Sequence, residues 1–191
     1  MTTTPEEILI AGNGTLYVAT ELPPASLPAY LSDTLNAAFV DVGFTSDDGA
    51  KFTDAKTTSS VRPWQSFYPV RVHITERQAT LELTLQQWNE LTMITAFGGG
   101  GVIEPQPGEY RYIPPAPEEL AVVSLVLDLA DGTRNFRVTI GRAFVTSNTE
   151  TTFARSGPAL LPVTFEVLAP STGAEPWTID SDDPAWAPVA S

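Results

Sequence analysis

The chain contains no cysteine in its 191 residues, so neither a disulfide framework nor a thiolate metal site is open to it. It has a single histidine, His73. One imidazole without thiolates does not make an ordinary zinc site, and no Gly-x-Ser-x-Gly elbow supplies a nucleophile for it to activate. The expectation is therefore a protein with no catalytic residue, no cofactor and no metal. Positive charge is also scarce. Ten Lys and Arg stand against 23 Asp and Glu, a net charge of −13. The basic residues look scattered along the chain, and a chain this acidic repels nucleic acid instead of gripping it. No apolar run approaches the roughly 20 residues of a membrane span; the most apolar window, 120–130, is broken by Ser124 and Asp128. Residues 1–7 are acidic and precede only a short apolar run at 8–11, which excludes a secretory signal and predicts a soluble protein.

What is present is punctuation. Seventeen prolines and 13 glycines separate short stretches of period-two alternation, which points to a mainly β fold with long loops. The clearest hairpin runs Val123, Leu125, Leu127 and Leu129 into Asp131-Gly132 and back through Phe136, Val138 and Ile140. Asn13-Gly14 predicts a second hairpin between 8–11 and 16–19. Strands are predicted at 38–44 and 50–54 around Asp47-Asp48-Gly49, and Val163, Phe165 and Val167 predict a last core strand. Val70, Val72 and Ile74 predict a strand that turns at 76–78 into Leu81, Leu83 and Leu85. Phe144 to Phe153 is polar on both faces, as an edge strand or one packed on a partner would be.

One helix is legible. At Gln86 the period changes, and Trp88, Leu91, Ile94 and Phe97 recur at helical spacing. This predicts a helix over 87–97 that lays that apolar face on the β domain, with Gly98 at its C-cap. The run Gly98–Gly101 follows a helix and lacks a Lys-Ser/Thr ending, so it is not a phosphate loop. Asp47-Asp48 and Asp180 to Asp183 lack the alternate oxygens and distal Glu of a calcium loop and read as turn residues. The long connection from Lys56 to Pro69 is polar at 57–60 and then carries Trp64, Phe67 and Tyr68. A structureless connection of that length is functional or disordered, and its aromatics favour docking. Beyond Ala169 the chain is rich in Pro and Asp with isolated Trp177 and Trp186. The division read from this is a β domain over 1–169 and an extended tail over 170–191, docking or partly disordered.

Several stretches together resemble the major tail proteins of long-tailed bacteriophages, especially those infecting actinobacteria. They are Ala11-Gly-Asn-Gly-Thr-Leu-Tyr-Val-Ala19, Phe39-Val-Asp-Val-Gly-Phe-Thr-Ser-Asp-Asp-Gly49, Trp64-Gln-Ser-Phe-Tyr-Pro-Val-Arg71, Leu85-Gln-Gln-Trp-Asn89, Ala96-Phe-Gly-Gly-Gly100, Tyr110-Arg-Tyr-Ile-Pro-Pro115 and Leu161-Pro-Val-Thr-Phe165. The resemblance implies a β-sandwich or barrel-like tail tube fold with one short helix packed on it. It also implies a structural virion protein that self-assembles, in the host bacterial cytoplasm, into hexameric rings. These stack into the phage tail tube around the tape-measure protein, meet tail terminator and tail-tip proteins, and conduct DNA without binding it specifically. Within that expectation Thr57, Ser59, Trp64, Phe67 and Tyr68 make contacts between subunits or rings. Glu82, Glu150 and Glu166, placed on the non-core faces of their strands, line the lumen. Two other readings stay open. One is a carbohydrate-binding β-sandwich that stacks sugars on Trp64, Phe67 and Tyr68; the other is a tail terminator or head-decoration protein.

Overall fold

Most of the period-two stretches become strands in the computed structural model, which describes residues 7–20, 26–146, 150–170 and 173–188. In chain order the strands are β1 (Asn13–Ala19), β2 (Val40–Asp41), β3 (Lys51–Val61), β4 (Arg71–Leu85), β5 (Gly101–Gln106), β6 (Glu109–Ile113), β7 (Val122–Asp131), β8 (Arg134–Val145), β9 (Leu161–Val167) and β10 (Trp177–Ser181). One α-helix among the described residues, α1 (Glu90–Ala96), stands between β4 and β5. The main sheet is antiparallel and runs β2-β1-β7-β8-β9-β4-β3, with β5 and β6 forming a separate hairpin. β8 is long enough to serve three neighbours. One edge carries β7; the other carries β10 over Phe136–Ile140 and β9 over Ala143–Val145.

Segment 42–46 draws the two sides of the sheet together. The Val42 N–H donates to the Leu16 carbonyl (3.1 Å), the Ser46 N–H to Thr84 (2.8 Å), and the Gln86 N–H to Phe44 (2.9 Å). The sheet thereby curls into a barrel-like body. Leu16 and Val18 of β1 share one core with Leu81 and Leu83 of β4, Leu125 of β7, Ile140 of β8 and Phe165 of β9. Burial of each such side chain contributes about 1.5–3 kcal/mol. A second, smaller cluster joins Ala19 and Val126 to Phe39 and Leu35, so segment 26–39 covers the other face of β1 and β7. Arg137 fastens that cover: its guanidinium pairs with Asp128 in two bonds (2.7 and 2.8 Å) and donates to the Asp33 carbonyl (2.9 Å). This is why Val123 to Leu127 lacks clean alternation: it is buried on both faces.

α1 starts later than its apolar period implies. Asn89 is its N-cap, accepting from the Thr92 N–H (2.9 Å) while its own N–H donates to Thr92 Oγ1 (2.9 Å). That capping box sets where the first turn begins. The face turned inward is then Thr92, Thr95 and Ala96, not the expected row of Trp88, Leu91, Ile94 and Phe97. Trp88 lies ahead of the helix and donates its indole N–H to Ala159 O (2.8 Å). Leu91 and Met93 do pack against the core. At the far end Gly98 adopts φ 70 and the Gly99 N–H reaches back to Ile94 O (2.8 Å), the glycine-terminated end that was expected.

Five other expectations change. The stretch 38–44 contributes only the two-residue β2, which pairs with β1 and not with β3, so no hairpin forms through Asp47-Asp48-Gly49. No hairpin forms at Asn13-Gly14; β1 begins there and pairs with β7. A Cβ on Gly14 would stand 3.0 Å from Leu129 Cδ2, so close packing accounts for this glycine. β4 does not turn at 76–78 but runs unbroken for 15 residues. Residues 56–61 of the supposed loop belong to β3. Phe144 to Phe153 is not a strand: β8 ends at Val145, residues 147–149 lie outside those described, and 150–153 pair with nothing as a strand. The Asp131-Gly132 hairpin is as read, closed by the pair Asp131 and Arg134, with Gly132 at φ 63.

Candidate assembly surface

β3 and β4 make a ribbon that leaves the body. β9 pairs with β4 only over Thr80–Leu85, and among the described residues no strand pairs with the outer edge of β3. From Ala55 to Val61 and from Arg71 to Gln78 every residue is exposed. At ~3.3 Å per residue the free part is about 25 Å long.

A bulge decides which side chains share its faces. Pairs Phe52–Leu81, Asp54–Ala79 and Lys56–Arg77 carry the core face outward. Thr75 is then extra, because Thr57 pairs with Glu76 while Thr58 pairs with Ile74. One added residue reverses the alternation of β4 beyond it. Ile74 and Val72, opposite Thr58 and Ser60, thus continue the face of Phe52 and Leu81 beyond the barrel. They are 60% and 57% exposed. Thr57 and Ser59 lie on the other face, opposite Glu76 and His73.

The tip, residues 62–70, is a folded turn. The Ser66 hydroxyl accepts from the Tyr68 N–H (3.2 Å) and donates to the Tyr68 carbonyl (2.9 Å), and the Val70 N–H closes on Val61 O (3.0 Å). Pro63 and Pro69 restrict it further. On this frame Trp64, Phe67 and Tyr68 are 100%, 98% and 81% exposed. Three aromatics held out in water on an ordered turn, next to two wet β-branched residues, form an exposed apolar patch of the kind found at contact surfaces. Burying each would contribute about 1.5–3 kcal/mol. At the base of the ribbon Arg77 donates twice to Asp54 (2.8 and 2.9 Å) and stacks 5.9 Å from the centre of the Trp177 ring on β10. The hydrogen bonds from Arg77 hold the Asp54 carboxyl below its ordinary range.

The five residues expected to make contacts therefore all lie on the one ribbon, with Thr57 and Ser59 on its polar face and the aromatics at its tip. The three glutamates divide. Glu82 and Glu166 project from adjacent strands on the face turned away from the core, opposite Thr164 and Thr80 respectively. Glu150 is exposed but belongs to no strand, so its expected position on a strand face is corrected. Glu82 also has a partner that sequence spacing hides: Lys51 donates to both of its carboxylate oxygens at 3.1 Å. His73 is exposed on the ribbon opposite Ser59. Among the described residues no three His, Cys, Asp or Glu gather as metal ligands.

A body with a finished core and a ribbon with none is the form of a subunit built to join others. No curated protein matches the chain. A family model described as phage tail tube protein matches residues 1–190. With the match spanning the whole chain, the protein belongs to the phage tail tube family, and its role is that of a structural component of the tail tube.

Proposed function

We propose that copies of the chain close into hexameric rings, and that the rings stack into a conduit for DNA. The observation that carries this reading is the β3–β4 ribbon, whose Val72, Ile74 and tip aromatics gain a dry environment only on another copy. Residues 1–169 build the tube wall in this reading and 170–191 dock on it. The tape-measure protein occupies the lumen before DNA does, and terminator and tail-tip proteins close the ends. Glu82, Glu150 and Glu166 contribute an acidic lumen wall, along which a duplex slides because few cations hold its phosphates.

Replacing Thr57–Glu76 by an Asn-Gly turn between Lys56 and Arg77, which already pair, removes the ribbon without opening the body. Electron microscopy of wild type should show tubes, and this variant should give folded, monodisperse monomers. Tubes from the shortened chain would refute the ribbon's role. Reversing all three glutamates to Lys should leave tubes intact but slow genome delivery, and undiminished infectivity would remove them from the lumen.

A further inference from the structure

The ten basic residues are not scattered in space. Five of them, Lys51, Lys56, Arg62, Arg71 and Arg77, fall on the ribbon with its base, residues 51–77, together with only Asp54 and Glu76 of the 23 acidic residues. That segment carries a formal charge of +3, and the rest of the chain carries −16. The charges also differ in how far they are already neutralised. At the base, Lys51 pairs with Glu82, and Lys56 and Arg77 pair with Asp54. Toward the tip, Arg62 and Arg71 are exposed and enter no ion pair among the described residues. Off the ribbon, Asp47, Glu90, Glu109 and Glu118 are likewise exposed and outside every ion pair among the described residues, against two such cations, Arg111 and Arg155.

We infer that the ribbon of one copy docks on the acidic body of another copy and not on a second ribbon, so that the contact is head-to-tail and steered by charge. This rests on the tube reading and adds which surface receives the ribbon. Two ribbons brought together would oppose Arg62 and Arg71 to the same residues, a like-charge juxtaposition. A ribbon on a body brings the tip cation Arg62 near carboxylates while Val72 and Ile74 leave water; Arg71, paired with Val61 on the opposite face, stays at the rim of that contact. Such a contact joins two different patches. It therefore repeats from copy to copy, closing a ring or extending a stack, whereas a self-complementary patch stops at a dimer. Because the charges are exposed, salt should weaken it.

Mixing separates the two geometries. The ribbonless chain, with Thr57–Glu76 replaced by Asn-Gly, still presents an acidic body. Added to wild type in substoichiometric amounts, it should bind the free ribbon at a growing end and shorten the tubes seen by electron microscopy. If ribbons meet ribbons, the same chain is inert and tube length does not change, which overturns the inference. In parallel, R62E/R71E should raise the protein concentration needed for assembly about tenfold at low salt, with an unchanged circular dichroism spectrum and melting temperature. Raising NaCl from ~0.05 M to ~0.5 M should raise the wild-type threshold several-fold, since screening shortens the reach of exposed charges, and should leave the double variant nearly unmoved. A double variant that assembles at the wild-type concentration, or a salt-independent wild type, also overturns the inference while leaving the tube reading standing. Wild-type protein that forms neither rings nor tubes at any salt overturns the tube reading, and this inference with it.

Discussion

Two long antiparallel hairpins in this molecule have opposite fates. β7–β8 turns tightly through Gly132-Thr133 and is buried on both faces over Val123–Leu127 and Phe136–Ile140, between the barrel core and segment 26–39. β3–β4 is longer, is joined by nine residues, and is wet from Ala55 to Gln78. Their sequences foreshadow the difference: Val122–Leu129 is almost wholly apolar, whereas Lys51–Val61 is mostly polar. Pairing alone makes a ribbon; apolar content on each face decides whether it has anything to pack on. The β3–β4 ribbon persists because its base is locked into the core through Phe52 and Leu81 and by the Asp54–Arg77 pair.

The widest gap should appear when one apolar residue is cut from each hairpin. Leu125→Ala should destabilise the monomer by about 2–5 kcal/mol in denaturant unfolding, since Leu125 is fully buried. Ile74→Ala should change it by less than ~0.5 kcal/mol and yet impair assembly. A large loss of monomer stability from Ile74→Ala would mean that the ribbon packs on its own body in solution, and the contrast would fail. Next in size is the cover over β7–β8. Arg137→Ala leaves Asp128 without its partner and frees segment 26–39, at a cost of about 1.5–3 kcal/mol. Hydrogen exchange at residues 35–39 should rise while exchange in β9 stays slow.

At the ribbon tip, replacing Trp64, Phe67 and Tyr68 together by Ser should leave unfolding within ~0.5 kcal/mol per substitution, as exposed positions do, but keep the protein monomeric in sedimentation. The smallest effect concerns the tail beside β8. The Asn135 backbone N–H (2.7 Å) and its side-chain amide (2.8 Å) both donate to Asp182 and hold that carboxyl below its ordinary value of 3.8. A depressed carboxyl stabilises above its unfolded value, and the stabilisation fades as pH falls through the lower folded value. Below pH 3.8, residues 173–188 should become more open to an acid protease than β7–β8. Asp182→Asn should flatten that pH dependence; an unchanged profile would assign the docking to Trp177 and Trp186 instead.

Much of the body was legible, and the ribbon was only half so. The alternation of Leu81, Leu83 and Leu85 and of Val163 and Phe165 marks core strands because one face meets the interior and the other does not. Gly98 and Gly132 were readable because their positive φ favours glycine. Residues 56–61 read as a loop because a strand wet on both faces has no period to show. The pairing of Trp177–Ser181 with β8 was hidden for a related reason: a five-residue strand held partly by Trp177 against Phe52 at 4.9 Å depends on a partner distant in the chain.

The sequence by itself determined the mainly β class, the β7–β8 turn, the lack of a local catalytic motif and the unusual aromatics at 64–68, since these depend on residue type and near neighbours. Only the tertiary structure decided that Val72 and Ile74 inherit the core face, that segment 51–77 with its five cations projects as a ribbon, and that Glu82 is paired while Glu150 stands off the strands. The face of Val72 and Ile74 and the pairing of Glu82 with Lys51 turn on strand register, and a single bulged residue at Thr75 reverses which side a side chain takes without altering the pattern that precedes it.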